Sequence, residues 1–153
     1  MSTTITAQPG TPFIEVTREF AAPPSAVLRA HTDPGLIVRW LGPHGMEMEI
    51  VEFDARSGGG YEYIHRDSRG EYRFRGVYHT VSDDRIIQTF EYLGAPGEVT
   101  LDSMVLTDLG DGRTRMVTHS VFPSVSARDT ALESGMSRGM TESYERLDKV
   151  LAG

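Results

Sequence analysis

The stretch from 126 to 151 constrains this chain more than any other part of it. Apolar or small residues recur at Leu132, Gly135, Met136, Gly139, Met140 and Ser143, then at Tyr144, Leu147, Val150 and Leu151. At about 100° per residue these fall in one arc, with Arg138, Thr141, Glu142, Glu145 and Lys149 opposite. The pattern predicts one amphipathic helix about 37 Å long, enough to lie across an entire sheet. Ser126 and Asp129 are spaced as a capping box and are expected to open it. Glu142–Arg146 and Glu145–Lys149 are i,i+4 pairs in the favourable order. Gly135 and Gly139 each cost about 1 kcal/mol relative to alanine inside a helix. That cost predicts either close approach of a strand or a void, and close packing is the expectation.

What the helix lies on is legible upstream. Segment 13–20 alternates apolar and polar residues after Ile14 and reads as a strand. A short helix is expected over 25–32, with Pro24 at its start, where proline costs least. Asp33 is placed to cap a second, whose apolar face is Leu36, Ile37, Trp40 and Leu41. Gly42-Pro43 stops it. Strands then follow over 46–53, 59–66, 72–81, 86–92, 99–109 and 113–122, separated by short turns rich in Gly, Asp and Ser. Connections this short demand antiparallel hairpins. Residues 1–12 are polar and hold Pro9, Gly10 and Pro12, so a disordered leader is expected, with 13–153 as a single domain.

Composition removes several functions. The balance of 22 acidic against 15 basic residues leaves a net charge of −7, which disfavours nucleic acid or anionic membrane as a partner. The absence of cysteine removes disulfides and thiolate chemistry. The histidines at 31, 44, 65, 79 and 119 lack ligand spacing, so neither a metal nor a cofactor is expected. No serine sits in a G-x-S-x-G setting, and Gly58-Gly59-Gly60 lacks the context of a phosphate loop. With no apolar run long enough for a membrane span and no signal peptide, a cytoplasmic location is the expectation.

Four stretches together resemble a known family: REFAAPPSAVLRAHTDPGLIVRWLGP (18–43), the glycine run before Tyr61, FRGVYHTVSDDRIIQTF (74–90) and SGMSRGMTESYERLDKVLA (134–152). They resemble the START/birch-pollen-allergen (SRPBCC) superfamily, also called the polyketide cyclase/dehydrase and lipid transport group. Within it the chain is similar to the branch named for the C-terminal domain of the activator of heat-shock protein 90 ATPase. The resemblance implies an α+β helix-grip fold: a curved antiparallel sheet of about seven strands around a long C-terminal helix, with two short helices after the first strand. Many relatives carry two tryptophans before the Gly-Pro, where this chain has Arg39-Trp40. The eukaryotic chaperone activators add an N-terminal domain for which this length leaves no room, so the resemblance speaks for fold more than for chaperone work.

The resemblance also implies that a concave sheet face looks at Met136, Met140 and Tyr144. Alternation puts Tyr61, Tyr63 and His65 on one strand face, Phe74, Gly76 and Tyr78 on another, and Phe90 with Tyr92 on a third. Met104 shares a face with Leu106, and Met116 with Thr118. Aromatic and thioether groups make adaptable walls for an apolar ligand, and they equally fill a core. Trp40 is a candidate for the pocket mouth, with a buried structural role as its counterpart. The function expected first is binding of a hydrophobic or aromatic small molecule. The alternatives are a cyclase- or aromatase-like enzyme, with Tyr63, His65 or Tyr78 handling protons, and a co-chaperone-like interaction module. Self-association as a homodimer is left open.

Overall fold

Alternation becomes one antiparallel sheet in the computed structural model, which describes residues 2–153. The strands are β1 (Thr4–Thr6), β2 (Phe13–Phe20), β3 (Glu47–Phe53), β4 (Gly60–Asp67), β5 (Gly70–Ser82), β6 (Arg85–Tyr92), β7 (Thr100–Gly110) and β8 (Arg113–Val121). Their order in space is β1-β2-β8-β7-β6-β5-β4-β3. Five hairpins run from β3 to β8, and β2 then pairs with β8, bringing the two ends of the chain together. Between β2 and β3 lie α1 (Pro24–Thr32) and α2 (Pro34–Ile37). Pro24 occupies the first turn of α1, and the Asp33 carboxylate accepts the Gly35 N–H at 2.8 Å as the cap of α2. The α+β helix-grip architecture is the one the resemblance implied.

Within residues 2–12, part of the segment expected as a disordered leader, Thr4–Thr6 lie in the sheet. Strand β1 adds an eighth strand to the sheet. Arg128, itself buried, donates to the carbonyls of Gln8 and Phe13 at 2.9 and 3.2 Å, and Arg18 Nε donates to Thr3 Oγ1 at 3.2 Å. Contacts from buried guanidiniums and strand pairing with β2 order a segment whose own composition has little to bury.

The C-terminal helix is in fact two, α3 (Val125–Glu133) and α4 (Met136–Ala152). The break is at Gly135, whose φ of 88° lies in the left-handed region that side chains resist. The cap of α3 is Ser124, which accepts the Ala127 N–H at 3.0 Å, not Ser126. On α4, Glu142 pairs with Arg138 at 2.8 Å rather than with Arg146. Arg146 instead donates to the carbonyls of Gly42 at 3.0 Å and Arg39 at 3.0 Å, stitching the helix to the turn after α2. Close packing explains neither glycine: a methyl group at Gly135 or Gly139 would meet nothing within 4 Å.

The best-filled core lies under the C-terminal half of α4. Leu147 is fully buried against a cluster that includes Ile14, Val16, Phe20, Val27 and Ala30. Arg18 points into the same region and is held by both Asp148 carboxylate oxygens, at 2.9 and 2.8 Å. Its guanidinium also lies 5.1 Å from the Phe20 ring centre.

Candidate functional site: an aromatic recess with a buried carboxyl

Register sets the inner face strand by strand. Tyr61 and Tyr63 on β4 oppose Gly76 and Phe74 on β5, while Tyr78 opposes Gln88 on β6. Gln88 opposes Asp102 on β7, and Asp102 opposes Ser120 on β8. The result is an aromatic band on β4 to β6 beside a polar row, Gln88–Asp102–Ser120. Tyr63 and Phe74 stack at 5.2 Å between ring centres, as do Phe74 and Phe90. Tyr61 lies 5.9 Å from Tyr63 and 5.3 Å from Tyr78. Tyr92 reaches Phe74 at 5.3 Å but is partly exposed and forms the rim.

Gly76 makes this arrangement possible. A Cβ there would stand 2.0 Å from the Thr89 carbonyl oxygen and 2.6 Å from the Tyr61 ring. Its absence lets Tyr61 lie across β5 and donate its hydroxyl to that carbonyl at 2.6 Å. The same hydroxyl is 3.5 Å from Gln88 Nε2, at the edge of the polar row.

The facing helix supplies Met136, Met140 and Tyr144 from one arc. Tyr144 is 6% exposed, whereas Met136 and Met140 stay half-buried. Phe74, Phe90, Gln88 and Asp102 are half-buried too, although they face inward from central strands. The recess is therefore tight at its tyrosines and loose where the two thioethers close it. Two grooves of about 440 and 280 Å³ lie elsewhere, on the flank of α4 against α1, α2 and the following turn, and neither includes a residue of the aromatic band.

Trp40 takes the core position and not the mouth. It is 2% exposed and donates its indole N–H to the Ala30 carbonyl at 2.9 Å. Its ring stands 4.7 Å from His31 and 6.4 Å from Tyr144, so it backs Tyr144 from behind. Of the residues expected at the site, the structure brings Tyr61, Tyr63, Phe74, Tyr78 and Phe90 together. It sets Met136, Met140 and Tyr144 on the helix face, Tyr92 at the rim and Trp40 outside.

Burial governs the electrostatics here. It pushes the phenols of Tyr61, Tyr63 and Tyr78 far above their ordinary range, and that of Tyr144 up to about 12, opposed by a hydrogen bond with Thr118. These groups are neutral donors at physiological pH. His65 is held below its ordinary value by burial, against a hydrogen bond with the Leu41 backbone, and its Nε2 has no partner. Its ring fills the space that a side chain on Gly42 would need. The exception among these groups is Asp102. Burial raises its carboxyl to about 6, opposed by the hydrogen bond from Ser120 Oγ at 2.6 Å. Tyr61, Tyr63 and Tyr144 all sense its charge across the recess.

Asp102, Gln88 and Ser120 are absent from the residues that the pattern singled out. The signal was nonetheless present. Met104 and Leu106 share a face, and the same count of two reaches Asp102, an acid in the middle of an apolar alternation. Among the described residues no three His, Asp or Glu side chains converge as metal ligands.

Comparison with known proteins agrees with this geometry. The family model described as "Activator of Hsp90 ATPase homolog 1-like protein" matches residues 21–152. The chain belongs to that family. No curated protein matches it. Among solved structures it is similar to a protein of Rhodobacter sphaeroides, at 28% identity and a TM-score of 0.88 over 99% of both chains. It is also similar to a protein of Arthrobacter aurescens, at 26% identity and a TM-score of 0.88 over 97% of this chain and 91% of that one. The AHSA1 protein of Silicibacter pomeroyi shares the fold, at 19% identity and a TM-score of 0.75 over 92% and 97% of the two chains. Among the described residues no helix is long and apolar enough to cross a membrane.

Proposed function

We propose that this member of the family binds a hydrophobic or aromatic small molecule between the aromatic band of β4 to β6 and the N-terminal half of α4. The observation that carries the reading is a gradient along one helix face. Leu147 and Tyr144 are buried, while Met140 and Met136, on the same arc, are not. Unbranched thioethers over stacked rings can be pushed aside at little cost, and the left-handed break at Gly135 gives the α3–α4 corner a place to move. The acidic net charge favours a small molecule over nucleic acid, and the reading includes a cytoplasmic location.

Ligand binding to the native state must raise stability. Thermal unfolding with a panel of small aromatics, fatty acids and phenols should therefore give saturable increases in Tm. Met140→Trp, which fills the space from the helix side, should weaken them. A panel that leaves the wild-type Tm unmoved overturns the reading.

A second reading, self-association, draws on the outer face of the sheet. There Phe13, Leu101 and Val77 are 41%, 44% and 58% exposed. Phe13 and Leu101 both pair with Val121, so part of this apolar row is continuous in register. Sedimentation of wild type and Leu101→Glu decides it: a dimer that the variant dissolves supports the reading, and a monomer at high micromolar concentration removes it.

A further inference from the structure

One group in the recess is unexplained by packing an apolar ligand. Asp102 stands between Thr100 and Met104 on the inner face of β7, in the middle of the sheet. Ser120 satisfies Oδ1, at 2.6 Å, while Oδ2 takes no hydrogen bond from any described residue. Protein surrounds the side chain on nearly every side, yet part of it stays reachable by water. Among the described residues no arginine, lysine or histidine forms an ion pair with it. The buried guanidinium of Arg18 is engaged with Asp148 instead.

A desolvated carboxylate without a counterion is half of an ion pair. A neutral hydrocarbon in the recess would remove its remaining water and give nothing back. A ligand carboxylate would meet it as a like charge. Only a donor, and best a cationic one, repairs the deficit, and the surroundings suit a cation twice over. The rings of Phe90 and Phe74 are stacked along the neighbouring strands, and aromatic faces attract cations through their quadrupoles. The Tyr61 hydroxyl is already given to Thr89, so it does not compete for Asp102.

We propose, resting on the binding reading above, that the ligand is an arylalkyl ammonium: its protonated nitrogen donates to Asp102 Oδ2 while its ring lies on the aromatic band. The charge state fits. With its carboxyl near 6, Asp102 is about tenfold more often ionised than protonated at about pH 7. The phenols of Tyr61, Tyr63 and Tyr144 that face it are neutral there, so nothing else in the recess carries charge to oppose an incoming cation.

The test compares three molecules with one ring system and three head groups: 2-(2-naphthyl)ethylammonium, 2-(2-naphthyl)ethanol and 2-naphthylacetate. Calorimetric titration of the full chain near neutral pH should find the ammonium bound at least about tenfold more tightly than the alcohol, the usual worth of a charge-assisted hydrogen bond. The acetate should be weakest. In Asp102→Asn, which keeps the volume, the preference of ammonium over alcohol should vanish while the alcohol still binds. The wild-type comparison stands even if the variant folds poorly. Alcohol or acetate binding as tightly as the ammonium overturns the proposal and leaves the binding reading intact, as does a preference that survives in Asp102→Asn. Failure of all three together with the whole apolar panel overturns both.

Discussion

The two halves of α4 show what the same helix face does over two different floors. Under its C-terminal half lie aliphatic side chains from β2 and α1, with Phe20 and Trp40, and Leu147 drives into them until no surface is left. Under its N-terminal half lie stacked rings and a row of polar side chains, covered by Met136 and Met140. Branched aliphatic groups interdigitate and pin the helix down. Stacked rings present a smooth wall, and flexible thioethers close it without locking. One half of the helix anchors the fold, and the other leaves room for chemistry.

That contrast can be broken most directly by truncation at each end. Leu147→Ala should cost about 2–5 kcal/mol, because the site is fully packed and cannot collapse. Met140→Ala, on the same arc, should cost less than half as much. Equal losses in urea unfolding would mean that the two ends are packed alike.

The two ends also titrate in opposite directions. At the packed end, His31 donates from Nδ1 to the Val27 carbonyl at 2.7 Å, and burial lowers its pKa to about 4. A depressed histidine contributes stability above its unfolded pKa that is lost as pH falls from about 6.5 towards 4. At the open end, the raised pKa of Asp102 works the other way. Its contribution is present below about pH 4 and lost as pH rises to 6. Each effect is on the order of 3 kcal/mol, so they nearly cancel between about pH 4 and 6 and the wild-type curve should be flat there. Asp102→Asn should be more stable than wild type at neutral pH and should gain stability steadily as pH rises through that range. His31→Phe should show the reverse slope. Parallel curves for all three proteins, from urea unfolding at a series of pH values, would remove the assigned environments.

Within the open end, Gly76 tests how the band is built. Gly76→Ala should cost about 1–3 kcal/mol, because the new methyl must move either the Thr89 backbone or the Tyr61 ring. The Tyr61 hydroxyl should lose its Thr89 partner, visible as a blue-shifted, more solvent-accessible tyrosine absorbance. The smallest effect separates the two helix glycines. Gly139→Ala should stabilise by up to about 1 kcal/mol, since it lies in open space at helical dihedrals, whereas Gly135→Ala should destabilise through its φ of 88°. If both variants shift the melting temperature in the same direction, the break between α3 and α4 is not set by Gly135.

Much of this was legible beforehand because it is local. Alternation, turns of Gly and Asp, Pro24 in a first turn and Asp33 at a cap are decided within a few residues, and strands β2 to β8 with α1 and α2 followed. The inward faces were legible for the same reason, which is why Tyr61, Tyr63, Phe74, Tyr78 and Phe90 were found together. Periodicity says which way a side chain points, not how far away the opposite wall stands. It could not tell that Leu147 meets a filled core and Met140 a looser one, or that Trp40 turns back to Ala30. It treated Gly135 and Gly139 alike, because helical spacing carries no information on a φ of 88°. Nor could it assign Arg146 to the carbonyls after α2, because a guanidinium chooses its partner by distance in space. Asp102 is the clearest case. The alternation placed it inward, but its charge matters only through the desolvation that β6, β8 and α4 impose on it together, and that is a property of the assembled fold alone.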